Sequence, residues 1–250
     1  MILIDPRNER AKSYADALAA RLRGTALPGD LRIVVGGDGF LLRAVAEHGV
    51  SQLYLGLNAG HLGFLLNDVD EDWDTLAKRI AGGDWREYRF PQIKAEIMRR
   101  NGDRSVDAAL NDVYLERSTG QTANLAVSID GTVLERRLVA DGLIFATALG
   151  STAYSFSAGG SPVHPEIPVL LATPICPHRP RLPPVVLPAT AIAEVEVISP
   201  ARRPVRAVAD GRAVEDVAHV RLSVSEPVVR LAYLPPHDFT KHLVHKILQP

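Results

Sequence analysis

The sequence predicts an α/β N-terminal domain with a parallel, Rossmann-like sheet, followed by a mainly antiparallel, β-rich C-terminal domain. Two observations carry this prediction. Over the first ninety residues, short apolar runs alternate with helical patterns, and glycine loops follow the runs. Parallel strands crossed over by helices have that grammar. From Phe90 onward the apolar period shortens to two, and Asn101-Gly102, Asp130-Gly131 and Asp210-Gly211 separate strand-like runs as hairpin turns.

The elements follow in order. Residues 2–4 read as a short strand, and Ala11, Tyr14, Ala15, Leu18, Ala19 and Leu22 recur on one face of a helix. A strand over 31–35 ends in Gly36-Gly37-Asp38-Gly39 and leads into a helix over 40–47. A second buried-type strand, 53–57, runs into Asn58-Ala59-Gly60, and a further helix over about 72–81 stops at Gly82-Gly83. Ile93, Ala95 and Ile97 then alternate with polar neighbours, and 195–198, 205–209, 219–225 and 228–233 read as strands of the second domain. A proline-dense connection lies between Pro174 and Pro188. The domains are placed at 1–88 and 89–236, with the segment 237–250 free to pack back on the first.

Composition narrows the function classes. Of 250 residues, 46% are apolar and 23% charged, with a formal net charge of −1. Such balance gives no electrostatic reason to expect nucleic acid or an anionic membrane as partner. The single cysteine, Cys176, excludes an internal disulfide and a cysteine-based zinc site. No apolar run approaches the ~18 residues of a membrane span, and a cytoplasmic protein is expected.

Two constellations carry chemistry. In the first, Gly36-Gly37-Asp38-Gly39 lets the backbone approach a bulky ligand at the end of a strand. The following helix aims its free N–H groups at the same place, which favours phosphate. Asp38 is either a base, a metal-positioning group or simply a cap in a strand-to-helix turn. The P-loop pattern is absent, and the dinucleotide fingerprint fails because Leu42 stands at its last glycine. In the second, Asp141 to Thr147 and then Gly150-Ser151-Thr152-Ala153-Tyr154-Ser155 place small residues and hydroxyls after a buried strand. They could present amides and short donors to a polar ligand, or start a serine-capped helix. Asn111-Asp112, His61 and His164 are weaker candidates, and Cys176, between Pro174 and Pro177, reads as an inert, partly buried thiol.

Taken together the motifs are more specific. Gly36 to Gly39 with Leu41-Leu42-Arg43, then Gly56-Leu57-Asn58-Ala59-Gly60-His61-Leu62-Gly63-Phe64, then Leu110-Asn111-Asp112-Val113, the block from Asp141 to Gly160, and Thr173 to His178 stand in one order. In that order the chain resembles the NAD kinase family. The resemblance implies an α/β domain and a β-rich domain with the dinucleotide bound between them. It implies ATP-dependent phosphorylation of the 2′-hydroxyl of the adenosine ribose of NAD, with Mg²⁺ accompanying ATP or polyphosphate as donor. Asp38 matches the family's proposed base, with Gly39 near the phosphates. Asn111, Asp112 and Asp141 match NAD contacts, and Thr152, Ala153, Tyr154, Ser155, Phe156 and Ser157 match the loop around the adenosine. Gly36, Gly37, His61, Phe64, Cys176 and Arg212 are expected as neighbours of the NAD and ATP sites. A homodimer or homotetramer is also implied. Three departures stand out: Phe40 where threonine is common, Ala148-Leu149 where Pro-Thr is common, and Arg212 where glutamine is common. Phe40 and Leu149 leave one alternative open, a non-catalytic NAD or NADP binder, and the glycine motif taken alone leaves another, a lipid or sugar kinase.

Overall fold

The computed structural model describes residues 1–60, 63–226 and 228–245. It divides into two compact units, one of Met1–Phe90 with the chain from 227 onward, the other of Pro91–Glu226. The first begins with β1 (Ile2–Ile4), α1 (Glu9–Arg21), β2 (Leu31–Gly36), α2 (Asp38–His48), β3 (Leu53–Asn58), α3 (Trp73–Gly82) and β4 (Arg86–Phe90). In α1 the spacing of Ala11, Ala15 and Leu18 puts all three into the core, and the Asn8 side chain accepts the Ala11 N–H at 3.1 Å. That bond satisfies one of the donors a helix N-terminus leaves over. Asp72 does the same for α3, accepting from Asp74 and Thr75, while Leu76, Ala77 and Ile80 face the same core. Helix α2 starts at Asp38, two residues before the expected start, because Gly37 alone turns the chain out of β2.

The second unit is a sandwich of two six-stranded sheets. Its strands are β5 (Ile93–Arg99), β6 (Arg104–Ala109), β7 (Asp112–Arg117), β8 (Ala123–Ile129), β9 (Thr132–Ala140) and β10 (Gly142–Thr147). A single 3₁₀ turn (Leu149–Thr152) and the short α4 (Tyr154–Ser157) follow. The chain continues through β11 (Val169–Ile175), β12 (Val185–Pro188), β13 (Ala193–Val197), β14 (Val205–Ala209), β15 (Arg212–Val214) and β16 (Val217–Val224). The sheet orders are β12-β11-β10-β7-β14-β15 and β6-β5-β16-β13-β8-β9. Inward residues of both sheets, among them Ile93, Ala95, Leu115, Phe145, Val195 and Leu222, share one core. Asp130-Gly131 and Asp210-Gly211 have positive φ at both positions, as a two-residue hairpin turn of this hand requires.

Two sequence expectations change. The proline-dense connection between Pro174 and Pro188 contains a strand, β12, which pairs with β11. Pro174 lies beyond Ala172, the last residue paired with β12, so on that side it sits at an edge where a missing N–H costs nothing. The strand expected at 228–233 in the second domain belongs instead to the first unit. This strand, β17 (Val229–Tyr233), lies between β3 and β4 in the order β1-β2-β3-β17-β4, parallel to β3 and antiparallel to β4. Alternation reports that a run is a strand but not which sheet it joins. Its charges do: the Arg230 guanidinium donates to Glu87 on β4 at 3.0 and 2.8 Å and to Asp30 before β2 at 2.7 Å. After β17 the short α5 (Phe239–Leu243) brings Phe239 edge-on to Tyr88 and Tyr233 at 5.0 and 5.1 Å.

Arg230 holds the carboxyls of Glu87 and Asp30 below their ordinary range. Depressed carboxylates contribute stability above their unfolded pKa and lose it as pH falls through the folded one. Arg230→Ala should therefore lower the unfolding free energy by about 1–2 kcal/mol at pH 7. Urea titrations should show the deficit shrinking below pH 4; an undiminished deficit at pH 3 would refute the ionic account.

Candidate active site

In the first unit the glycine turn joins β2 to α2, and Asp38 is the first helical residue. Its Oδ2 accepts the Phe64 N–H at 2.9 Å and its Oδ1 accepts the Leu65 N–H at 3.1 Å. The carboxylate thus orients a second segment, which a simple cap of its own helix would not do. Phe40 explains itself by packing: a Cβ on Gly36 would lie 2.9 Å from its ring, and Arg43 covers that ring at 5.6 Å. The Asn58 side chain accepts the Gly60 N–H at 2.9 Å and donates to Asp68 at 3.1 Å. Phe64 is buried, whereas His61 lies outside the described residues.

Two residues here carry no sequence signal that singles them out. Asn67, 5% exposed, donates to the Gly56 and Ala232 carbonyls at 2.8 and 3.0 Å and accepts the Leu234 N–H at 2.7 Å. Tyr233 is fully buried; burial first, then the charge of Asp38, push its hydroxyl well above the ordinary tyrosine range.

In the second unit Asn111 and Asp112 enter β7 buried, and their backbone converges on a side chain from the β14–β15 turn. The Asp210 carboxylate accepts the N–H groups of Leu110, Asn111 and Asp112 at 2.6, 3.0 and 3.3 Å. The sequence marks Asp210 only as a turn residue, because an aspartate before glycine is too common to single out. The Thr147 hydroxyl donates to the Leu110 carbonyl at 2.7 Å and accepts the Gly150 N–H at 3.1 Å. Gly150 must be glycine, since any Cβ would overlap the Asn111 carbonyl. Asn111 Oδ1 is buried with no hydrogen-bond partner among the described residues, which leaves it an acceptor still to be matched. Burial and, second, the Asp210 charge push the Asp112 carboxyl up to about 7. Arg212 donates to Asp107 at 2.8 Å and to the Ala108 carbonyl, holding the end of β6.

The remaining candidates surround the end of β10. Asp141 is gripped by Arg117 at 2.8 and 3.5 Å. The stretch after β10 is a 3₁₀ turn and one turn of α4, carrying Thr152, Ala153, Tyr154, Ser155, Phe156 and Ser157. Tyr154 packs edge-on to Tyr114 at 5.0 Å, and the buried Ser155 and Thr173 hydroxyls share a hydrogen bond of 2.8 Å. Cys176 is exposed rather than partly buried, because the chain leaves β11 there with φ of 44° and turns the side chain outward. The chemistry-bearing residues therefore form two groups, one per unit. The first offers a positioned carboxylate in a glycine turn, the second a rim of buried acceptors beside a small-residue loop.

Asp112 provides a stability test. Its folded pKa lies above the unfolded value, so the folded state is favoured most below about pH 4 and loses that advantage as pH rises to about 7. Asp112→Asn should exceed the wild type in stability by about 1–4 kcal/mol at pH 8. The gain should vanish at pH 4 in denaturant titrations; an equal gain at both would rule out ionisation as its source.

Known proteins share both the motifs and the fold. Residues 110–228 match the family model of the ATP-NAD kinase C-terminal domain. An NAD kinase of Rhizobium meliloti is 35% identical over 245 residues, 97% of this chain and 94% of that protein. One from Cereibacter sphaeroides is 36% identical, covering 94% of this chain and 93% of the relative. In fold, the chain resembles a yeast NADH kinase crystallised with NADH (TM-score 0.83, 22% identity, 99% of this chain and 86% of that one). It also resembles an Archaeoglobus fulgidus NAD kinase in complex with ATP (TM-score 0.78, 24% identity, 100% and 98%). With relatives above 30% identity aligned over nearly its whole length, and with its glycine turn and Asn-Asp pair folded as described, the chain belongs to the NAD kinase family.

Proposed function

We propose that this enzyme transfers the γ-phosphate of ATP to the 2′-hydroxyl of the adenosine ribose of NAD, giving NADP and ADP, with Asp38 as general base. The observation that carries the reading is the Asp38 carboxylate in the Gly36–Gly39 turn, oriented by the Phe64 and Leu65 N–H groups. A ribose hydroxyl is a poor nucleophile, so a fixed carboxylate that takes its proton as the oxygen bonds to phosphorus lowers the barrier. The proton ends on Asp38 and the leaving group is ADP. Gly39 and the start of α2 supply backbone N–H groups near the phosphates. Asn111 and Asp112 accept donors of the dinucleotide, Arg117-bound Asp141 supports them, and the 152–157 loop surrounds the adenosine with Tyr154 as its aromatic wall.

Mg²⁺ enters as part of the ATP substrate. Among the described residues no three His, Cys, Asp or Glu side chains gather as a metal cage. A single carboxylate at the turn suits a cation held mainly by phosphate oxygens. When bound, it offsets charge on the transferring phosphoryl group. No helix among the described residues is long and apolar enough to cross a membrane. A cytoplasmic location belongs to the same proposal, since a lone exposed cysteine has no use for an oxidising compartment. So does assembly as a homodimer or homotetramer. Light scattering at micromolar concentration should give a mass at least twice that of the chain; a fully active monomer would contradict it.

The base assignment is tested by Asp38→Asn, which keeps the shape but cannot take a proton at neutral pH. NADP formation at saturating NAD and ATP should fall by roughly 10²–10⁴. Calorimetric NAD affinity should change far less. Near wild-type turnover would remove Asp38 from the chemical step, and loss of NAD binding would make it a substrate-binding residue instead.

A further inference from the structure

The Asp38 carboxylate is held by backbone N–H groups of a segment that, among the described residues, forms no helix and a single isolated bridge, Leu57 to Asn67. Such a segment orients a carboxylate only if something fixes the segment. The described residues supply one buried side chain for the purpose. Asn67 lies two residues beyond Leu65, inside the first unit, and spends its whole amide on backbone: two donations and one acceptance. Its own N–H donates to Gly56 at 2.9 Å, and its carbonyl accepts from Asn58 at 2.8 Å. The 64–67 strip is thereby fastened to β3 on one side and to the end of β17 on the other. Burying an amide costs free energy unless each donor and acceptor is matched, so a full match at one residue specifies one geometry.

We infer that Asn67 is a positioning residue for phosphoryl transfer, acting through the Phe64 and Leu65 N–H groups on the Asp38 carboxylate. The inference rests on the proposed role of Asp38. It also gives the returning strand a role in the site, because Ala232 and Leu234, more than 160 residues away in sequence, become the far anchor of the base. Tyr233, between them, senses the Asp38 charge, in accord with that arrangement.

The test is a double-mutant cycle on the full-length enzyme. Asn67→Ala, Asp38→Asn and the double variant are compared for kcat per folded molecule, KM for NAD and calorimetric NAD affinity. Asn67→Ala should lower kcat by roughly 10–100-fold, the effect of a reacting group displaced by about an ångström. NAD affinity should change by less than about threefold. In the Asp38→Asn background the same substitution should cost nothing further, because the group it positions has gone. Leu18→Ala, in the core under α1, serves as a destabilised control and should leave kcat per folded molecule at the wild-type value. If Asn67→Ala does not fold, Asn67→Ser carries the same cycle. Equal losses in both backgrounds, or an unchanged kcat in the Asn67 variant, would overturn the inference. Full turnover by Asp38→Asn alone would instead overturn the base assignment on which it rests.

Discussion

Backbone N–H groups left over where strands end must find acceptors, and the structure depends on how side chains supply them. In both units Asp, Asn and Thr side chains turn back to accept. Asp38 takes the N–H groups of Phe64 and Leu65, Asn58 that of Gly60, and Asn67 that of Leu234. In the second unit Asp210 takes three in succession, Thr147 takes that of Gly150, and Asp130 takes that of Ile192. These bonds fix irregular backbone as firmly as a ladder fixes a strand. The functional candidates stand on, or beside, the segments so fixed.

The same logic accounts for what was legible in the sequence. Gly36-Gly37-Asp38-Gly39 could be read because a turn that leaves a strand for a helix within one residue restricts residue type locally. The alternation of Ile93, Ala95 and Ile97 could be read because each second residue is buried in one core. Asn67, Asp210 and the sheet membership of β17 could not. Each is defined by a partner about 100 residues or more away, such as Leu110 for Asp210 and Leu234 for Asn67. An asparagine after an apolar run or an aspartate before glycine looks like turn chemistry, and Asp210 does serve a turn as well. Phe40 was visible as a departure, but its compensation, the fit against Gly36 beneath Arg43, appears only in three dimensions.

Three aspartates, one in the first unit and two in the second, show how one residue type is given different work. Asp141 is held on both oxygens by the Arg117 guanidinium, a planar clamp that fixes its orientation. Asp112 is buried beside the Asp210 carboxylate, and the two effects together bring its carboxyl to about 7. A group that titrates there offers a ligand hydroxyl a strong acceptor, and a bound donor would favour its charged form. Asp38 accepts two peptide N–H groups from another segment, which aim its oxygens. Environment, not residue type, therefore distinguishes the three carboxylates: peptide N–H groups aim Asp38, burial beside Asp210 raises Asp112, and a guanidinium clamps Asp141.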